Sequence, residues 1–463
     1  MNSPIPAQDI DFSTGSSRGM TGRILANSGL MGGARAISSV LGIVTLIITA
    51  RALDDLAAFG TVLFVHAYML FFADIATFKS WQAIVRFGAD HLSNKDARLL
   101  GRLFRFGFTL DALAAILAYG SAVGLFSVVV ALSARFPGFG PEADGLPLAT
   151  LQNYVTLYCL VLLLRQTHAG TGIFRLFDKF GVLALRTLIM PVLRFSGACL
   201  AWWMGWGVAG FLCVWFAASA LSYIALPLLA IRELYKRRLL RPVWKARNVL
   251  IETDRGLWPF VVKTNIDSTL NAFRTHFPSL LVTAVFGPAL FAIFRIAEEF
   301  AKILSKGTKL FDQVLYPELS RLVAEGRIRA LQNVALKATL VIGGISLLLT
   351  LIVLVFGEPI IRLAFGAGFE KASGLAVFLL LSAALTGAAV PFYTVFYVLM
   401  RPGRAAWIRG GAIIAYLFAF FTLVSTAGIY AAGWAALAGA AFEIIIVTIW
   451  ATLTMKRHKV PSM

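Results

Sequence analysis

Charge is scarce in this sequence. Only 14% of its 463 residues are Asp, Glu, Lys or Arg, against roughly 25% in a soluble globular chain. Acid is scarcer than base, 23 residues against 42, which leaves a net charge of +19. Cysteine is nearly absent. Cys159, Cys199 and Cys213 all lie in apolar runs, with no Cys-x-x-Cys and no Cys/His spacing. That excludes a disulfide framework and a metal site and leaves them as small packing residues. No Gly-rich loop ends in Lys-Ser or Lys-Thr, so no ATPase phosphate loop is built in. A cleavable signal peptide is also lacking, and residues 1–22 read as a flexible cytoplasmic tail rich in Pro, Ser and Gly.

What the chain has in abundance is apolar runs. Hydrophobic residues make up 59% of it, and the mean hydropathy is +0.80. The runs recur at about twenty residues, enough to cross ~30 Å of hydrocarbon. About twelve spans are expected, near 24–50, 57–78, 104–131, 149–170, 181–203, 207–231, 257–286, 289–313, 334–356, 373–399, 409–427 and 431–454. A β-barrel would show shorter, alternating segments instead. Loop charge tests the count. With the N-terminus in the cytoplasm, one set of loops holds nearly all the Lys and Arg, including the run from Arg232 to Arg247. The other set holds only Arg51, Arg135, Arg362 and Lys371. Both termini are therefore assigned to the cytoplasm, and the +19 is largely topological rather than a sign of nucleic acid.

The basic connector 232–256 follows six spans and precedes six, as in transporters built from repeats. The expected division is an N-lobe over 23–231, the connector 232–256, a C-lobe over 257–455 and a basic tail over 456–463. A weak repeat at an offset near 231–232 agrees: Asp55 to Gly60 corresponds to Gly287 to Ala292, and Gln82-Ala-Ile-Val to Gln313-Val-Leu-Tyr. The fold class is thus an all-α polytopic membrane protein, with two six-helix lobes around a central cationic cavity.

Two spans carry charge where lipid would not tolerate it. Lys263, Asp267, Asn271 and Arg274 recur every three or four residues, and so do Arg295, Glu298, Glu299, Lys302, Lys306 and Lys309. Each set forms one helical stripe. An ionised side chain at the bilayer centre costs ~3 kcal/mol or more, so the stripes turn toward protein or a wet cavity. The break Phe286-Gly-Pro joins the two runs as a helical hairpin. Folding about Gly287 would set Arg274 level with Glu298 and Glu299, and Asp267 level with Lys306, so pairing is the bland alternative to ligand binding. From Lys263 to Asp312 there are six bases and four acids, which leaves two positive charges over.

Several stretches resemble one family. Arg23-Ile-Leu-Ala-Asn-Ser-Gly through Thr49-Ala-Arg-Ala-Leu, the turn before Phe59-Gly60, Phe286-Gly-Pro and Gln313-Val-Leu-Tyr-Pro-Glu-Leu-Ser-Arg321 are similar to signatures of Wzx-type polysaccharide flippases. These belong to the MOP superfamily, with MurJ-like lipid II flippases and MATE exporters. The resemblance implies alternating access that carries an undecaprenyl-pyrophosphate-linked oligosaccharide from the cytoplasmic to the periplasmic leaflet, in surface lipopolysaccharide or exopolysaccharide assembly. It implies a non-enzyme in the bacterial inner membrane, with lipid-linked oligosaccharide and membrane lipids as partners, and a polysaccharide polymerase and export machinery as further ones.

A pyrophosphate calls for cations at membrane depth, and guanidinium can grip it in a bidentate way. The candidates are Arg35, Arg194, Arg274 and Arg295 at mid-membrane, with Lys263 and Lys302 nearer the cytoplasm. For Arg35 the bland alternative is pairing with Asp74 or Asp111. Asp267, Glu298, Glu299 and Glu443 are candidates for a coupling Na⁺ or H⁺. His66 and His276 are possible proton relays. No organic cofactor is called for. A MATE-like cation-coupled exporter would need an acidic or aromatic pocket. A polymerase would need catalytic residues in a large outer loop, and 132–148 offers only Arg135, Glu142 and Asp144.

Overall fold

The computed structural model describes residues 10–12, 20–133, 147–246, 250, 256–325, 327–398 and 402–457. Every described element is helical. In order these are α1 (Met20–Leu53), α2 (Leu56–Ile75), α3 (Ser80–Ser93), α4 (Ala97–Ser133), α5 (Leu148–Cys159), α6 (Thr167–Leu176), α7 (Phe180–Trp203), α8 (Val208–Lys236) and α9 (Leu240–Lys245). They continue as α10 (Leu257–Ala324), α11 (Ile328–Phe365), α12 (Lys371–Val398), α13 (Pro402–Ala427) and α14 (Tyr430–Arg457). A short 3₁₀ turn, Leu160–Leu164, links α5 to the approach to α6.

Among the described residues, eleven stretches are long and apolar enough to span a bilayer. One of them, Leu257–Ser305, has 49 residues. At 1.5 Å per residue that is ~70 Å of helix, more than twice the hydrocarbon core. It breaks at Gly287, where φ is 78° and ψ is 174°. Glycine tolerates that backbone because it has no Cβ. The long stretch thus holds two of the twelve runs expected from the sequence.

The chain forms two compact units, Met1–Val285 and Phe286–Met463. In the first, Ile84, Phe104, Phe106, Phe174, Phe177 and Leu226 build a core between α3, α4, α6 and α8. Helices α3 and α6 approach closely at Gly172, where a Cβ would meet Ile84 Cβ at 2.8 Å and the Trp81 backbone at 3.0 Å. Ile10 belongs to this core at 8% exposure. The Asp11 amide donates to the Arg237 carbonyl at 3.4 Å, and Arg237 Nη1 donates back to the Asp11 carbonyl at 3.2 Å. In the second unit, Leu319, Leu331, Phe392, Phe396 and Val447 pack together. Trp202 and Trp203 stand exposed at the end of α7, suited to an interfacial belt.

Candidate functional site

Arg194 lies on α7, within the first unit. Its Nη1 is 3.1 Å from His66 Nε2, and its Nη2 donates to Ser219 Oγ at 2.9 Å. The guanidinium also sits over the Trp215 ring, 4.7 Å from its centroid. A guanidinium can only donate, so His66 Nε2 accepts. His66 Nδ1 is 2.9 Å from the Tyr158 hydroxyl and 3.4 Å from Arg194 Nη2. Every one of these partners is neutral. Among the described residues no carboxylate pairs with Arg194, and its Nε is buried with no acceptor. Eight positions earlier, close to the same face of α7, Arg186 likewise has a buried Nε without an acceptor. The result is a positively charged wall inside a helical unit, cradled but not neutralised.

A second cluster in the same unit is built differently. No run or motif in the sequence marks it. Arg165, just past the 3₁₀ turn, pairs with Asp74 at 2.7 Å. It also donates to the Ala73 carbonyl and to Thr77 Oγ1, so it meets carbonyls left open where α2 ends. His276 joins Asp74 from α10 at 3.0 Å. Asp111 is only 2% exposed. Its Oδ1 accepts from Ser80 Oγ, and its Oδ2 accepts from the His168 and Ala169 amides, all at 2.8 Å. One carboxylate therefore binds the first residue of α3 and caps the start of α6. Two helix interruptions are closed at once, by an anion at helix starts and a cation at a helix end.

The charged stripe on α10 forms a third arrangement, in the second unit. Arg295 pairs with Glu298 at 2.5 Å and Glu299 at 2.9 Å. Lys302 pairs with the same two at 2.9 and 3.2 Å. Two cations and two anions thus close a neutral quartet at i,i+3 and i,i+4 spacing. The remaining candidates are dispersed. Arg35 is exposed on α1; Asp74 and Asp111 are bound elsewhere, and no described carboxylate pairs with it. Lys263 and Arg274 are exposed on the first arm of α10. Glu443 is buried in α14 at 4% exposure. The side chains of Asp267, Lys306 and Lys309 lie outside the described residues, as does the loop 134–146. No cluster of three His, Cys, Asp or Glu able to hold a metal occurs among the described residues.

The inner membrane protein YghQ of Escherichia coli (strain K12) is 30% identical over 355 residues, which is 76% of this chain and 95% of that protein. The family described as polysaccharide biosynthesis protein matches residues 147–374. The chain belongs to the polysaccharide biosynthesis protein family. Its fold matches an inward-facing multidrug resistance MATE family transporter of the MOP superfamily, with a TM-score of 0.73 at 14% identity over 92% of this chain and 96% of the other. It also matches the lipid II flippase MurJ in an inward closed conformation, with a TM-score of 0.60 at 14% identity over 92% and 90%. The chain is multi-pass by its helices, and its curated relative is called an inner membrane protein. Arg165, Arg194, His276 and the α10 quartet all fall in the stretch that the family description covers.

Proposed function

We propose that this family member moves an undecaprenyl-pyrophosphate-linked oligosaccharide from the cytoplasmic to the periplasmic leaflet of the bacterial inner membrane, by alternating access. The reading rests above all on Arg194, a guanidinium at membrane depth whose described partners are all neutral. Leaving such a charge uncompensated costs ~3 kcal/mol or more, and a pyrophosphate in transit would offset that cost. Arg186 and Arg35, also without a carboxylate, extend the cationic path. Coupling to Na⁺ or H⁺ through Glu443 or Asp267 fits the same reading, as does hand-over to a polymerase and export machinery. A MATE-like exporter of cationic compounds fits the fold but not the sign of the Arg194 cradle.

Deleting the gene and locating the lipid-linked repeat unit in inner-membrane vesicles of known sidedness tests the proposal. The complete unit should accumulate on the cytoplasmic leaflet and recover when the intact gene is restored. Units that reach the periplasmic leaflet but fail to polymerise would point to a polymerase instead. Unchanged pools would end the flippase reading.

A further inference from the structure

The second unit contains a small cavity lined by none of the residues considered above. It lies between the start of α13 and the end of α14, is about 220 Å³, and is lined by Arg404, Trp450, Leu453 and Thr454. Arg404 Nη1 donates to Thr454 Oγ1 at 2.5 Å, and Thr454 passes its own proton to the Trp450 carbonyl at 2.6 Å. No carboxylate lines the cavity, and no described one pairs with Arg404. The sole acid from 371 to 463 is Glu443, eleven residues before Thr454, or ~16 Å along the helix. Arg401, Arg409, Lys456, Arg457 and Lys459 flank the same two helix ends in sequence. The cavity therefore offers a guanidinium beside an indole ring to a ligand, under a local excess of positive charge.

Its rim is apolar and outward-facing. Trp450 and Leu453 are 38% and 48% exposed, and Trp407, one turn after Arg404, is 79% exposed. These positions lie at the ends of two spans, at the depth where headgroups meet acyl chains. Lys/Arg bias assigns that end to the cytoplasmic leaflet. Basic pockets between helices at that level suit phosphate headgroups. We propose that this cavity holds the phosphate of an anionic phospholipid of the cytoplasmic leaflet, with Arg404 on the phosphate and Trp450, Leu453 and Trp407 along the acyl chain. A soluble phosphate would use the guanidinium but gain nothing from the apolar rim.

The test uses the purified full-length protein, delipidated in detergent and titrated with dioleoyl phosphatidylglycerol, dioleoyl phosphatidylcholine or inorganic pyrophosphate under native mass spectrometry. Wild type should prefer phosphatidylglycerol over phosphatidylcholine. Arg404→Gln should reduce phosphatidylglycerol affinity about fivefold, the loss expected for one basic residue at an anionic surface, with Arg404→Lys intermediate. Brominated phosphatidylglycerol should quench wild-type fluorescence more than that of Trp450→Phe, a readout that survives even if Arg404→Gln folds poorly. Equal affinity for the two lipids, an unchanged preference in Arg404→Gln, or quenching that is the same in Trp450→Phe would overturn the proposal. Displacement of phosphatidylglycerol by millimolar inorganic pyrophosphate would overturn the lipid assignment in favour of a soluble anion.

Discussion

The α7 wall of the first unit and the α10 quartet of the second both place arginine at membrane depth, yet they solve the charge differently. Around Arg194 the partners are imidazole, hydroxyl and indole. Around Arg295 they are two carboxylates, shared with Lys302. The quartet satisfies itself within one helix and has no electrostatic need of a ligand. The Arg194 cradle orients its guanidinium without cancelling its charge, which is the condition for binding an anion strongly and releasing it later. The contrast separates cations paired within the fold from one whose described partners are all uncharged, the one to which the proposed function assigns the substrate.

The largest effect should follow from removing the uncompensated charge. Arg194→Gln keeps a hydrogen-bonding head in the cradle but no charge. Transport measured by leaflet-resolved labelling of the lipid-linked unit should fall on the order of 100-fold, the scale of a charge-assisted hydrogen bond worth up to ~3 kcal/mol. Membrane insertion and thermal stability in detergent should stay near wild type. Arg194→Lys should recover part of the activity, because charge survives while the fork geometry does not. Normal transport in Arg194→Gln would erase the distinction between the two regions.

The quartet should respond the other way. Glu298→Gln with Glu299→Gln leaves Arg295 and Lys302 half-buried beside neutral amides. The side chains are 19–30% exposed, so the full ~3–5 kcal/mol of breaking a buried pair does not apply, and about 1–3 kcal/mol of stability should be lost. Thermal unfolding in detergent measures it, and transport per folded molecule should change little. A variant that stays fully stable but no longer transports would move the substrate site to α10.

Only part of this contrast can be read from the sequence. The apolar runs and the break at Gly287 are local signals, and each marks a real feature of the helical order. The stripe from Arg295 to Lys302 is equally local, and its i,i+4 spacing already contains the quartet. Pairing is within the stripe: Glu298 and Glu299 meet Arg295 and Lys302 of their own helix. The Arg165–Asp74 pair has no such signal, since its partners are 91 positions apart. The interruption between α2 and α3 runs through Ala76-Thr77-Phe78-Lys79 with neither Gly nor Pro. It is held open by Asp111, 31 positions after Ser80, so no local reading could place it. Arg194 was visible as a charge inside an apolar run, but that its partners are all neutral is a property of four helices together.

The smallest expected effect sharpens what the cradle needs. If His66 serves only as a neutral acceptor for Arg194, His66→Gln can replace it: the amide oxygen accepts from the guanidinium and the NH₂ donates to Tyr158. Transport should then stay within about twofold of wild type, whereas His66→Leu strands an Arg194 donor, costs ~1–2 kcal/mol, and should lower transport roughly tenfold. The two variants differ in hydrogen bonding, while both remove the imidazole. If they fail equally, and as badly as Arg194→Gln, the imidazole itself is required, and the cradle is a protonation site rather than a passive support. If Gln is tolerated and Leu is not, the neutral hydrogen-bond frame is what keeps Arg194 charged, oriented and available to an anion.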